Sequence, residues 1–216
     1  MSAIIPFRTP ADHARESARI AEHLRRGGLL IYPTETVYGL GCALRRSALE
    51  RLIAVKGRDA AKPFLLLISE PAHVPGLEWT EPARRLAAEF WPGPLTLALR
   101  ATPGAYPAAV VGPAGTVAVR VSPHPAVRAI IGALGEPITS TSANIHGEMP
   151  ARTVDEARRI VEHFGSPPDL WLADGGTLPA SPPSTIVDCT GARPRVLREG
   201  AVPLDALRTI VDEIND

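Results

Sequence analysis

The chain has 216 residues, 45% of them hydrophobic, and its 23 lysines and arginines balance 23 aspartates and glutamates. That is enough apolar content for one sizeable core, and a net charge of zero excludes a global field that draws in nucleic acid or anionic lipid. Two cysteines without metal-like spacing, scattered histidines and no long apolar run lead to the expectation of a soluble, cytoplasmic protein with no disulfide framework, protein-ligated zinc or membrane span.

In chain order, Thr9-Pro-Ala-Asp12 predicts a capped helix start and Gly27-Gly28 its end, with Ala14, Ala18, Ala21 and Leu24 as the buried stripe. Leu29 to Tyr32 reads as a buried strand. Pro33 ends its ladder, and Gly39 and Gly41 let backbone approach something bulky. Thr34, Glu35 and Thr36 then fall at a strand end, where open α/β sheets bind ligands, although an ordinary strand-turn is the plainer reading of that stretch alone. Ser47-Ala-Leu-Glu50 has the form of a capping box and predicts a second helix with Leu49, Leu52 and Ile53 inward, stopping at Gly57. This puts Lys56 and Arg58 at a helix C-terminus.

Lys62-Pro63 leads into Phe64 to Ile68, a strand buried on both faces. A helix from Thr80 to Phe90 is stopped by Trp91-Pro-Gly-Pro94, and Leu95 to Arg100 alternates as a half-buried strand. Tyr106 to Gly115 reads as loop. Thr116 to Val121 is a strand whose period of two separates Arg120 from Val117, Val119 and Val121. A helix from Pro123 to Leu134 and a short strand from Ile138 to Thr141 lead into Ser142-Ala-Asn144. Thr153 to Glu156 is another capping box, opening a helix that ends at Phe164-Gly165. Strands at Leu170 to Ala173, Thr185 to Asp188 and Arg195 to Leu197, and a closing helix from Pro203 to Ile214, complete the chain. The interleaving predicts an α/β fold: a single domain over residues 1–216, with its core at about 10–200 and a twisted mixed parallel and antiparallel sheet packed with helices.

No P-loop, dinucleotide fingerprint, H-E-x-x-H or G-x-S-x-G motif occurs. What remains is a set of cations and hydroxyls near element ends: Thr34, Thr36, Lys56, Arg58, Lys62, Thr116, Arg120, Ser140 and Ser142. Each has an ordinary explanation alone, such as a helix-dipole complement for Lys56 and Arg58 or a turn for Ser142-Ala-Asn144. Together they suit a pocket for a polyanion and a small carboxylate.

Tyr32-Pro-Thr-Glu-Thr-Val-Tyr-Gly-Leu-Gly41, Lys56-Gly-Arg58, Trp91-Pro-Gly-Pro-Leu-Thr96, Thr116-Val-Ala-Val-Arg120, Ser140-Thr-Ser-Ala-Asn144 and Pro183-Ser-Thr-Ile-Val-Asp188 resemble the YrdC-type threonylcarbamoyl-adenylate synthases in order and spacing. The resemblance runs to Gly200 and does not include the C-terminal domain of longer members. It implies a nucleotidyltransferase that converts L-threonine, bicarbonate and ATP, with Mg²⁺, to threonylcarbamoyl-AMP and pyrophosphate. A separate tRNA threonylcarbamoyl transferase complex then modifies the adenosine beside the anticodon. It places Thr36, Arg120, Ser140 and Ser184 at threonine, with Arg120 on the carboxylate. It places Arg58, Lys62, Thr116, Ser142 and Arg198 at ATP, and Lys56 with Arg58 and Ser142 with Asn144 as the paired catalytic signatures. No metal ligand is assigned to a protein side chain.

Leu67 stands where some members carry a histidine that reaches threonine, Lys62 where others carry Asn, and Pro183 where longer members often carry Glu. The residues leave open a non-catalytic RNA-binding module, with a weak contact to tRNA, and a relative of the same fold with another carbamoyl-type substrate. A carbamate supplies its own nucleophilic oxygen, so the missing triad agrees with the implied reaction, which asks chiefly for alignment and charge neutralisation.

Overall fold

A computed structural model describes residues 2–57 and 62–215. Ten strands form one continuous sheet: β1 (Ile4–Pro6), β2 (Leu29–Pro33), β3 (Tyr38–Gly41), β4 (Leu65–Leu67), β5 (Leu95–Arg100), β6 (Thr116–Arg120), β7 (Ile138–Ser142), β8 (Leu170–Asp174), β9 (Thr185–Asp188) and β10 (Arg195–Arg198). Their order is β1-β8-β2-β3-β7-β4-β6-β5-β9-β10, with parallel and antiparallel pairs mixed. Helices α1 (Pro10–Arg25), α2 (Arg46–Lys56), α3 (Glu81–Phe90), α4 (Pro125–Leu134), α5 (Val154–His163) and α6 (Leu204–Arg208) pack on it. No helix among the described residues is long and apolar enough to cross a membrane.

The helix starts follow their capping chemistry. Thr9 with Asp12, and Thr153 with Glu156, form capping boxes, and Gly57 and Gly135 end α2 and α4 in the left-handed conformation. The Ser47 box does not form: α2 begins at Arg46, Arg45 occupies the cap position and no side chain caps it. In α1 the buried stripe is Ser17, Ile20, Ala21 and Leu24, while Ala14 and Ala18 are exposed, because the larger Ile20 sets which face turns inward.

Four further expectations are corrected. Residues Leu95 to Leu99 are buried on both faces of β5, since the strand lies inside the sheet between β6 and β9. The closing helix is only Leu204–Arg208, after which turns carry the chain to a bridge between Asn215 and Arg195. The Tyr106 to Gly115 loop contains a 3-10 turn at Ala108–Val110. Gly39 and Gly41 belong to β3, and what comes close to Gly41 is the sheet itself: a Cβ there lies 1.8 Å from the Thr139 carbonyl oxygen of β7.

The two faces of the sheet are covered unequally. Leu29, Ile31, Leu40, Leu66, Leu97, Val117, Val119 and Val187 form a core on one face with α2, α3 and α5. On the other, α1 and α4 cover Leu30, Tyr32, Leu67 and Ile138 with Ile20, Leu24, Val127, Ile130 and Ile131. Strand registers put Leu65, Thr116, Ala118, Ser142 and Ile186 on this second face as well, and all five are only half-buried. A strip of sheet beyond the two helices is therefore less fully covered, and it sets the hydroxyls of Thr116 and Ser142 among the apolar Leu65, Ala118 and Ile186.

Candidate active site on the open sheet face

The open strip carries Thr116 and Arg120 on β6 and Ser140 and Ser142 on β7. Pairing of Leu65 with Ser140 and of Leu67 with both Arg120 and Ile138 fixes these side chains on one face. Three strands lie between β2 and β6, about 19 Å of flat sheet. Even so, Glu35, in the turn after β2, accepts a hydrogen bond from Ser122 Oγ at 2.5 Å, just after β6. The sheet must therefore curl, and the Thr34 to Thr36 turn bends over the resulting concavity.

Arg120 is the buried charge facing this turn. Its side chain is 5% exposed and its Nε lies 3.5 Å from Glu35 Oε1. Nε is sealed from solvent, and no hydrogen bond to the guanidinium is found among the described residues. Tyr32, Thr36 and Ser140 are also buried. Burial pushes the Tyr32 phenol above its ordinary range, against the Ser140 hydrogen bond and the positive charge of Arg120. Thr34 Oγ1 donates to the Val37 carbonyl at 2.7 Å and accepts from Thr36 N at 3.2 Å, which shapes the turn.

Ser184 and Arg198 close one side. Ser184 Oγ lies 2.9 Å from Thr96 Oγ1, and Arg198 donates from Nε and Nη2 to the Ser184 carbonyl at 3.2 and 2.7 Å. Burial first, and then repulsion by Arg120, lowers the Arg198 pKa, so two guanidinium groups share the site. That arrangement favours an anion between or beside them.

Lys56, at the end of α2, donates from Nζ to the Ser142 carbonyl at 3.1 Å, the Asn144 carbonyl at 3.0 Å and Asn144 Oδ1 at 2.8 Å. Ser142 Oγ donates to Asn144 Oδ1 at 2.7 Å, and Asn144 Nδ2 donates to the Ile145 carbonyl at 3.0 Å. The lysine thus holds the turn that presents Ser142. Thr116 sits half-buried at the opposite end of β6 from Arg120, and Lys62 is exposed ahead of β4. Arg58 lies outside the described residues.

Leu67 is buried under α1 and α4, in the core that contains Ile130 and Leu30. Among the described residues no three His, Cys, Asp or Glu side chains converge on a metal position. A separate cleft of about 410 Å³, lined by Trp79, Trp91, Arg84 and Val121, is mainly apolar and holds no buried charge. The buried charge, Arg120, lies on the open sheet face instead.

Sequence reasoning groups Thr36, Arg120, Ser140, Ser142, Ser184 and Arg198, of which strand register puts Arg120, Ser140 and Ser142 on one sheet face and Arg198 is bonded to Ser184. It misses Ser122 and Thr96, and it places Glu35 at a strand end without finding its partners. Only proximity in the curled sheet reveals these contacts, because the Ser122–Glu35 pair spans 87 residues and the Thr96–Ser184 pair 88.

A mixed α/β domain whose partly uncovered sheet face gathers arginines and hydroxyls has the makings of a site for anionic small molecules. The chain belongs to the Sua5/YciO/YrdC family, whose model, described as "Telomere recombination", matches residues 22–200. It is 41% identical to the threonylcarbamoyl-AMP synthase of Thiobacillus denitrificans over 182 residues, 81% of this chain and 93% of that protein. It is 38% identical to the threonylcarbamoyl-AMP synthase of Pyrococcus abyssi over 197 residues, 90% of this chain but 56% of the relative. The chain thus spans little more than half of that longer protein. Among solved structures it resembles P. abyssi Sua5 complexed with L-threonine, with a TM-score of 0.88 and 34% identity over 99% of this chain and 62% of that one. It also resembles E. coli YciO, with a TM-score of 0.79 and 28% identity over 93% and 96% of the two chains.

Proposed function

We propose that this chain is a threonylcarbamoyl-AMP synthase, joining L-threonine, bicarbonate and ATP to give threonylcarbamoyl-AMP and pyrophosphate. The observation that carries the reading is the Arg120 guanidinium, buried on the sheet face that also carries Ser140 and set against Glu35 of the Thr34 to Thr36 turn, in a chain whose relatives bear that name. Arg120 receives the threonine carboxylate, and Thr36, Ser140 and Ser184 supply hydroxyls to the rest of the amino acid. Arg198, Ser142, Thr116, Lys62 and Arg58 meet the nucleotide. Mg²⁺ bound to the phosphates offsets their charge.

The threonine amine and bicarbonate condense to the carbamate with loss of water, and a carbamate oxygen then attacks the α-phosphorus as pyrophosphate leaves, so the protein need only align two anions and neutralise the charge that develops. Lys56 and Asn144 act by fixing Ser142. The product passes to a tRNA threonylcarbamoyl transferase complex, and the free thiols of Cys42 and Cys189 suit a reducing cytoplasm. The test is incubation with ATP, L-threonine, bicarbonate and Mg²⁺, following pyrophosphate and identifying the adenylate by mass spectrometry. Threonine- and bicarbonate-dependent product supports the reading. ATP binding without that product sinks it.

A further inference from the structure

Two buried charged atoms in the site are left without hydrogen bonds, and they face each other. Glu35 Oε1 and Arg120 Nε are both sealed from solvent and lie 3.5 Å apart. The other Glu35 oxygen is held by Ser122 Oγ, which also accepts from His124 N at 3.2 Å, at the cap of α4. A carboxylate tied to a helix start thus stands on the Nε side of the guanidinium.

A looser buried ion pair of this kind recovers little of its desolvation cost, so stability alone is a poor reason for it. Geometry supplies a better one. A guanidinium offers donors along more than one edge, and an anion gripped through the two terminal nitrogens needs that edge free and correctly turned.

We propose that Glu35, held by Ser122, is a positioning residue that turns the terminal-nitrogen edge of Arg120 toward the carboxylate of the amino-acid substrate. This rests on the proposed function, which makes Arg120 the carboxylate receptor. Glu35 does not touch the substrate. It sets the angle at which Arg120 meets it.

The test is Glu35→Gln, which keeps the shape and the Ser122 hydrogen bond but removes the charge. The dissociation constant and KM for L-threonine rise by about tenfold, the scale of one charge-assisted contact, while kcat at saturating threonine and the affinity for ATP stay within about twofold. The Arg120 Nε–H resonance in ¹⁵N NMR of the ligand-free protein shifts or broadens as the side chain loses its hold. Ser122→Ala gives a smaller rise in the same direction, and adding it to Glu35→Gln gives no further rise, because the serine acts through the carboxylate. If Glu35→Gln does not fold, Ser122→Ala carries the test alone.

Unchanged threonine affinity with an unchanged Nε–H resonance overturns the proposal. So does equal weakening of threonine and ATP, which indicates scaffold damage, and so does a fall in kcat at unchanged KM. If the wild-type protein binds no threonine, the proposed function fails, while the NMR comparison still reports separately whether Glu35 holds Arg120.

Discussion

Lys56 and Asn144, 88 residues apart, meet with Nζ 2.8 Å from Oδ1, and the same ammonium also takes the Ser142 and Asn144 carbonyl oxygens. The end of α2 is thereby tied to the turn after β7. Lys56→Met keeps the aliphatic stem and removes these bonds. It is expected to lower stability by about 2 kcal/mol and to raise the KM for ATP more than that for threonine, as the Ser142 turn loosens. Urea denaturation and separate substrate titrations measure the two effects. A variant of full stability and unchanged KM values argues that the lysine does not hold the turn.

Arg120→Ala should raise the threonine requirement by about a hundredfold, the cost of losing a charged bidentate partner, with the KM for ATP much less affected. Because the change leaves Glu35 buried without its counter-charge, stability also falls, by about 3 kcal/mol. Equal threonine KM values for variant and wild type would make Arg120 purely structural.

Arg58→Ala is expected to slow adenylation by about a hundredfold while the fold survives, on the view that one charge-assisted contact to the phosphates strengthens in the transition state. Near-normal pyrophosphate release by that variant contradicts the assignment of Arg58 to the nucleotide.

Gly41→Ala places a methyl 1.8 Å from the Thr139 carbonyl oxygen, backbone that has no room to yield. A loss of about 3 kcal/mol or more follows, together with loss of activity, since β7 carries Ser140 and Ser142. Gly132, in the middle of α4, has open space where its Cβ goes, and Gly132→Ala is expected to stabilise by about 0.5 to 1 kcal/mol. Melting curves of the two variants, measured side by side, separate crowding from backbone entropy.

His124 caps α4 by accepting from Ala126 N at Nδ1, which requires the neutral ring. Burial lowers its pKa from 6.5, against the pull of Glu35. The unfolded chain then protonates first on acidification, so this stability is present above about pH 6.5 and is lost as pH falls through the folded pKa. His124→Asn keeps a capping side chain and removes the titration. The drop in unfolding free energy between about pH 7.5 and about pH 5.5 should shrink in that variant, with a remainder from His23, which burial also lowers. An unaltered pH slope rules His124 out as the source.

Capping pairs and strand periods were readable in the sequence because they are local: Thr9 with Asp12, Thr153 with Glu156, and Arg120 set against the valines of β6. What could not be read depends on neighbours distant in sequence. Ile4–Pro6 is a three-residue strand, too short for a period, and exists because β8 pairs with it. Leu95 to Leu99 alternates in chemistry but is covered on both sides by its place in the sheet order. The hydroxyls and cations of the site could be named one by one. The Glu35–Ser122 and Thr96–Ser184 contacts needed the curl of the sheet.

Because Thr116 and Arg120 stand at opposite ends of one strand and on the same side of it, the pleat acts as a ruler. Four residues of extended chain separate the two anchor points by about 13 Å. Ala118, the small residue between the two on that face, leaves the space between the anchors clear of bulky side chains. Shortening or lengthening β6 by two residues keeps every side chain on its side yet moves one anchor by a full repeat, so the length of this strand, as much as the identity of its polar residues, sets the distance between the two anchor points.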